Sequence, residues 1–289
     1  MNISLMQTKI KGLGKLIRID KPIGFFLLLW PTLSAFFILT RGNPSPSLLV
    51  IFCLGTFLMR SAGCVINDYF DRNFDGRVER TKTRPLVTGE VKPHEALLFF
   101  VILLSLAASL LYWTNKLTFK MALIGAFITC LYPLTKRFFQ IPQMFLGIAF
   151  SWGIIMVCSA ELNTISPSSI ILFFACFFWI MAYDTAYAMS DRDDDLFLDI
   201  HSSALTFGNY AQYIFLICQI ISLSLWAIGG FMQEIKPIYY FLLLIVFFFI
   251  FYQFRLIKEY DRQNCFKAFI NNNWIGISIF IGSILGTVL

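Results

Sequence analysis

Residues 237–254, PIYYFLLLIVFFFIFYQF, contain no charged side chain and indicate what kind of fold this chain adopts. An apolar run of roughly 20 residues matches the hydrocarbon thickness of a lipid bilayer when it is coiled into an α-helix. In the bilayer a helix is favoured because it satisfies all of its backbone hydrogen bonds internally. This stretch therefore predicts a membrane-spanning helix.

Apolar runs similar to residues 237–254 recur along the whole chain. Nine candidates lie at about 23–39, 47–70, 94–113, 117–134, 141–158, 167–190, 210–230, 236–255 and 269–288. The 94–134 stretch is hard to divide, so eight or ten spans are the alternatives. The prediction is an all-α integral membrane protein with about nine transmembrane helices.

The composition excludes an ordinary soluble protein. The chain is 58% hydrophobic with a mean hydropathy of +0.72, and only 14% of its 289 residues are charged. Soluble proteins have about 25% charged residues. The natural partner is the lipid bilayer, and no nucleic-acid partner is expected. The seven cysteines include no Cys-x-x-Cys pair, so neither a disulfide framework nor a zinc site is expected.

The basic residues predict the orientation. With nine spans, 18 Lys and Arg residues fall on the side of the N-terminus and 4 on the other. Positive residues stay cytoplasmic, which puts the N-terminus inside and the C-terminus outside. No cleavable signal peptide is evident. Residues 1–22 are basic and partly amphipathic, typical of a helix on the membrane surface or a cytoplasmic tail, and 23–289 is predicted to be one transmembrane domain.

Acidic residues gather where the second predicted span ends. Asn67, Asp71 and Asp75 follow one another at intervals of four, which places them on one face if the helix continues. Like charges at this spacing repel one another. Ionisable groups at membrane depth are costly and usually functional.

A second acidic group ends the sixth span on the same predicted side. Asp184, Asp191 and Asp195 also share a helical face. Two such stripes facing each other would be destabilised without cations. Mg²⁺ prefers a few carboxylates together with substrate phosphate oxygens, so carboxylates gripping Mg²⁺ and a diphosphate are the simplest interpretation. Solvated interface groups are the alternative for either cluster alone.

Arg60 lies inside the second span, seven residues before Asn67 and therefore on the same face. A buried arginine needs an anionic partner. That partner is either an aspartate such as Asp184 or the carboxylate of a substrate, and we favour the substrate. Basic residues that follow the clusters, Lys136 and Arg137 among them, either bind phosphate or only obey the positive-inside rule.

These residues resemble those of a known family, the UbiA-type membrane aromatic prenyltransferases. The family motif Asn-x-x-x-Asp-x-x-x-Asp matches the Asn67 cluster, Asp-x-x-x-Asp matches Asp191 and Asp195, and Tyr-x-x-x-Lys matches Tyr132 and Lys136. The flanks resemble the hydroxybenzoate branch at 18–24 (RIDKPIG), 29–32 (LWPT), 62–68 (AGCVIND), 80–86 (RTKTRPL), 132–137 (YPLTKR) and 142–153 (PQMFLGIAFSWG). The likeness covers nearly the whole chain in order.

The resemblance implies Mg²⁺-dependent transfer of a polyprenyl group from polyprenyl diphosphate to 4-hydroxybenzoate, a step of ubiquinone biosynthesis. It implies a helix bundle around a central cavity that opens near the cytoplasmic face of a bacterial inner membrane, with a periplasmic C-terminus. The implied metal ligands are Asn67, Asp68, Asp71, Asp75, Asp191 and Asp195. Diphosphate and acceptor would be bound by Asn67, Arg60, Arg72, Tyr132, Lys136 and Arg137. Phe197 and His201 stand where the family pattern has lysines, and Asp199 stands where it has a glycine. This loop therefore offers fewer basic side chains for binding the diphosphate.

Three other functions compete with this hypothesis. A divalent-cation transporter also needs intramembrane acidic residues. Transporter sites lie near the bilayer midplane, however, whereas both acidic clusters are predicted at the cytoplasmic ends of their helices. A phosphotransferase of the CDP-alcohol type would need an Asp-Gly-x-x-Ala-Arg run, which residues 75–80 do not match. Another aromatic acceptor within the same family stays open.

Overall fold

The computed structural model describes residues 3–73, 75–77, 81–135, 139–197 and 201–288. Across these ranges every regular element is helical. The α-helices are α1 (Ile3–Leu16), α2 (Ile23–Leu39), α3 (Pro46–Asp71), α4 (Pro85–Thr88), α5 (Pro93–Leu110), α6 (Lys116–Thr135), α7 (Gln143–Leu162), α8 (Pro167–Ser190), α9 (Arg192–Phe197), α10 (Ser203–Phe207), α11 (Ala211–Met232), α12 (Pro237–Ile257) and α13 (Arg262–Val288). Single turns of 3₁₀ helix occur at Asp75–Arg77, Leu111–Trp113 and Gly208–Tyr210.

Seven helical stretches in the described chain are long and apolar enough to cross a membrane. They are Pro46–Asp71, Pro93–Trp113, Gln143–Leu162, Pro167–Ser190, Ser203–Met232, Pro237–Ile257 and Arg262–Val288. The other two predicted spans are also helical, but α2 has only 17 residues and α6 is not among the seven. A 17-residue helix rises about 26 Å, slightly less than the roughly 30 Å hydrocarbon core. The predicted all-α membrane architecture is confirmed, and the count of nine spans stays a prediction.

The chain divides into two compact units. The first comprises residues 1–25 and 50–113, and the second comprises residues 26–49 and 114–289. In the first unit α1, the end of α3 and the start of α5 share an apolar core that includes Leu16, Val65 and Leu103. Ion pairs from Lys9 to Glu95 and from Lys15 to Glu90 reinforce this packing at the surface. The basic N-terminal segment is therefore a docked helix, and its placement on a membrane surface stays a prediction.

In the second unit α8 is the central helix. It packs against α7, α11 and α13, and 61% of its most apolar 18-residue window is buried. The corresponding fraction for α12 is 28%, and exposed side chains such as Phe241 and Phe248 cover its outer face. A helix that is apolar on all sides and partly exposed is suited to lipid contact. The seven cysteines are all free thiols.

A buried polar network joins the helices of the second unit. Asn272 on α13 accepts hydrogen bonds from Trp179 Nε1 at 2.9 Å and from Gln219 Nε2 at 3.0 Å, and donates to the carbonyl of Ala268. Gln219 also donates to Gln253 on α12. Because hydrocarbon offers no hydrogen bonds, each polar group at this depth needs an internal partner. The network thus fixes how α8, α11, α12 and α13 are aligned.

Candidate functional site

The first acidic motif spans the end of α3. The helix ends at Asp71, and Asp75 begins a separate 3₁₀ turn. Asn73 and the Asp75-Gly76 pair are turn-forming residues, which explains why the helix stops there. The condition under which all three residues would share one helical face, a helix that continues through Asp75, is therefore not met. Asn67 and Asp71 share the helix, whereas Asp75 is placed by the loop that follows.

Two arginines hold the most buried carboxylate of this motif. The side chain of Asp68 is 2% exposed, and Nη2 of Arg18 lies 2.7 Å from its Oδ1 and 2.9 Å from its Oδ2. Nη1 of Arg84 lies 3.0 Å from Asp68 Oδ1. Both carboxylate oxygens of Asp68 therefore contact guanidinium groups.

Arg84 also contacts Asp75. Its Nη1 donates to Asp75 Oδ2 at 2.7 Å, so one guanidinium bridges two carboxylates of the motif. Arg84 is extended because Pro85 follows it and opens α4. The Thr81 hydroxyl donates to the Asp75 carbonyl at 2.7 Å, and the Arg84 amide donates to the Thr81 carbonyl. These bonds bring the loop back against the end of α3.

Charge and burial both act on Asp75, which is 7% exposed. Burial raises the pKa of its carboxyl group above the ordinary aspartate value, and Arg84 opposes that rise. The negative charges of Asp71 and Asp68 raise the pKa further. The three carboxylates are thus close enough to repel one another, as the sequence predicted.

The second acidic motif lies where α8 meets α9. Asp191 caps α8 and is 8% exposed, and its carbonyl accepts from the amide of Asp195 at 2.9 Å. This bond keeps the two residues one helical turn apart, although Asp191 itself interrupts the helix between α8 and α9. Asp194 forms an ion pair with Arg262 at the surface, and Asp193 is exposed.

Oxygen donors of both motifs fit a hard cation. Carboxylate and amide oxygens are the ligands that Mg²⁺ prefers, and it commonly uses one or two carboxylates plus substrate phosphates instead of an all-protein cage. In the described part of the chain no group of three or more His, Cys, Asp or Glu side chains could hold a metal by itself. By their chemistry, the oxygen donors of each motif suit Mg²⁺ that takes part of its ligands from other oxygen groups.

Arg60 lies in the first unit beside the start of α2. A Cβ atom at Gly24 would lie 2.9 Å from Arg60 Nε and 3.0 Å from its Cζ, and closer still to Nη2. The missing side chain of Gly24 thus provides the space that the guanidinium occupies. The Phe25 and Phe57 rings meet edge to face next to it, with centroids 5.9 Å apart.

The structure describes the other predicted substrate-binding residues only in part. Arg72 folds back over Tyr69, with its guanidinium carbon 4.3 Å from the ring centroid and a hydrogen bond to the Tyr69 carbonyl. Tyr132 belongs to α6, but its side chain lies outside the described residues, as do Lys136 and Arg137. Phe197 ends α9 and is 81% exposed, His201 is exposed, and Asp199 lies outside the described residues.

Sequence reasoning missed two contributors. The contact of Arg18 with Asp68 was not predicted, because the two residues lie 50 positions apart in the chain. Gly24 appeared only within a flanking motif, and nothing local shows that it faces Arg60. Both were quoted in the RIDKPIG run at 18–24, which is the one signal that marked them.

The chain matches the model of the UbiA prenyltransferase family over residues 28–283. It belongs to this family. A 4-hydroxybenzoate octaprenyltransferase of Nitrosospira multiformis is 48% identical over 271 residues, which cover 94% of this chain and 93% of that protein. A protein of the same name from Aeromonas hydrophila is 46% identical over 96% of this chain and 98% of its own length.

The UbiA fold is also found among solved structures. A UbiA homologue from Archaeoglobus fulgidus, bound to GPP and Mg²⁺, matches with a TM-score of 0.72 at 20% identity over 95% of this chain and 99% of its own. At that identity the likeness concerns the fold alone. The chain is thus a member of a family of membrane prenyltransferases with an all-helical fold.

Proposed function

We propose that this protein transfers a polyprenyl group from polyprenyl diphosphate to 4-hydroxybenzoate, ortho to the hydroxyl group, as a step of ubiquinone biosynthesis. The observation that carries the proposal is the 48% identity, over 94% of the chain, to a relative named for this type of transfer. The chain also has both acidic motifs, at 67–75 and 191–195. The nine spans around a central cavity, the inner-membrane location and the cytoplasmic N-terminus are part of the same proposal.

The proposed metal ligands are Asn67, Asp71, Asp75, Asp191 and Asp195. Mg²⁺ bound there would offset the charge of the diphosphate and make it a better leaving group. Lys136 and Arg137, with Arg72, would donate charge-assisted hydrogen bonds to the same oxygens. The buried position of Asp75 and Asp191 supports this assignment, because desolvated carboxylates interact more strongly with a cation than exposed ones do.

The reaction breaks the bond between the allylic carbon and the diphosphate oxygen, and the electron pair leaves with the diphosphate. The ring carbon ortho to the hydroxyl group then bonds to the allylic carbon, and the ring proton passes to a carboxylate or to the released diphosphate. Aromatic faces near the allylic cation stabilise it, and water must be excluded because it would trap the cation. Arg60 would hold the benzoate carboxylate in a bidentate contact and thereby orient the ring. A lipid-soluble polyprenyl chain suits a site that opens toward the bilayer.

The test is transfer of a labelled prenyl group to 4-hydroxybenzoate by membranes that contain the protein. Product should form with Mg²⁺, disappear with EDTA, and be lost in Asp71→Ala and in Asp191→Ala. Asp193→Ala is the matched control, because Asp193 is exposed and lies outside the Asp-x-x-x-Asp motif. If product forms only with another aromatic acid, the assignment of 4-hydroxybenzoate as the acceptor is wrong. A folded protein that transfers to no aromatic acceptor would overturn the enzyme assignment.

A further inference from the structure

The structure accounts for how three carboxylates remain close together at the end of an apolar helix. Asp68, Asp71 and Asp75 repel one another, and burial strengthens that repulsion. The guanidinium groups of Arg18 and Arg84 lie within 3.0 Å of Asp68, and that of Arg84 also lies within 3.0 Å of Asp75. They supply positive charge from within the chain, whereas the sequence was interpreted in terms of a bound metal ion.

Arginine side chains engage both oxygens of Asp68. Arg18 contacts both of its oxygens, Arg84 contacts one of them, and its side chain is 2% exposed. A divalent cation on Asp68 would lie against two guanidinium groups, and the buried Asp68 side chain leaves little solvent to screen the repulsion. The contacts therefore disfavour Asp68 as a metal ligand, although its place in the motif suggested that role.

Arg84 is shared. Its Nη1 lies 2.7 Å from Asp75 Oδ2 and 3.0 Å from Asp68 Oδ1. Asp68 thus draws part of the positive charge of Arg84 away from Asp75. Without the charge on Asp68, Arg84 would neutralise Asp75 alone and would compete directly with a metal ion for that carboxylate.

We propose that Asp68 is a positioning residue that shares Arg84 with Asp75 and thereby leaves Asp75 able to bind the metal ion. Arg18 sets the balance, because its contacts with both Asp68 oxygens limit how strongly Asp68 can hold Arg84. The proposal rests on the proposed function, since it concerns the Mg²⁺-diphosphate site. It assigns Asp68 to the support of the site and not to its ligand set.

The proposal predicts that Asp68→Asn, but not Arg18→Gln, weakens metal binding. Asp68→Asn should weaken metal binding about 10- to 100-fold, as is typical when the partner that orients a metal ligand is removed. Arg18→Gln leaves Asp68 free to hold Arg84 more strongly, so metal binding should be unchanged or tighter. In the double variant Asp68 carries no charge with which to share Arg84, so metal affinity should stay as low as in Asp68→Asn.

The measurement is a Mn²⁺ titration by electron paramagnetic resonance on purified protein with a non-ionising prenyl thiodiphosphate. Thermal unfolding in the same detergent is measured in parallel. Lys15→Gln is the matched control, because it removes a cation of α1 whose partner is Glu90 and not Asp68. It should leave Mn²⁺ affinity unchanged. The number of Mn²⁺ ions bound at saturation should be the same in all four variants.

A metal-binding role for Asp68 itself would give a different pattern. Asp68→Asn would then lower the number of bound Mn²⁺ ions, which overturns the proposal, and so would a return to normal affinity in the double variant. Lower thermal stability of Asp68→Asn with unchanged Mn²⁺ affinity would assign Asp68 to stability only and would also overturn it. If Asp68→Asn does not fold, loss of Mn²⁺ affinity in the folded Arg18→Gln variant would overturn the proposal. Unmodified protein that binds no Mn²⁺ would overturn the proposed function as well.

Discussion

Gly24→Ala should impair use of the aromatic acid and spare use of the prenyl donor. The added methyl group would lie 2.9 Å from Arg60 Nε, whereas ordinary contacts begin at 3.4 Å, so the guanidinium must move by about 0.5 Å or more. A 1 Å misplacement of a substrate-positioning group costs about 10²-fold in rate. We therefore expect kcat/KM for 4-hydroxybenzoate to fall about 10- to 100-fold.

The assay varies each substrate in turn, with the other saturating, in membranes that contain equal amounts of protein. KM for the prenyl diphosphate should be unchanged, since the three atoms nearest to the added Cβ all belong to Arg60 and none to a proposed metal ligand. Gly14→Ala is the matched control, because a Cβ atom there has open space around it. Equal loss with both substrates, or no loss with 4-hydroxybenzoate, would refute the reasoning that Arg60 holds the acceptor.

Three further expectations follow from the same structure. Asn272→Ala leaves Trp179 Nε1 without its acceptor and removes one of the two acceptors of Gln219, so the free energy of unfolding should fall by about 1–3 kcal/mol. An unchanged melting temperature in detergent would contradict this. Arg262→Gln removes only the surface ion pair with Asp194, so stability should change by less than about 1 kcal/mol in the same measurement. Arg60→Lys keeps the charge but loses the bidentate geometry, so KM for 4-hydroxybenzoate should rise about tenfold or more in the transfer assay, and an unchanged KM would argue against a carboxylate contact.

The transmembrane character and the helices could be predicted from the sequence. Every predicted span coincides with a helix, because apolar runs of this length leave the backbone no other way to satisfy its hydrogen bonds in lipid. Helix ends were harder to predict, because they depend on local turns. The spacing at 67, 71 and 75 puts three side chains on one face only if the helix continues, whereas α3 ends at Asp71 and Asp75 is placed by the loop that follows.

By itself the sequence determined the membrane class, the helices and the residue types of the two acidic motifs. These follow from local composition and periodicity. Only the tertiary structure decided that Arg18 and Arg84 converge on Asp68, that Arg84 also holds Asp75, and that Gly24 makes room for Arg60. Such contacts join residues far apart in the chain, so they depend on how the helices pack against one another. The spacing of residues along one helix carries no information about which side chain of another helix will face it.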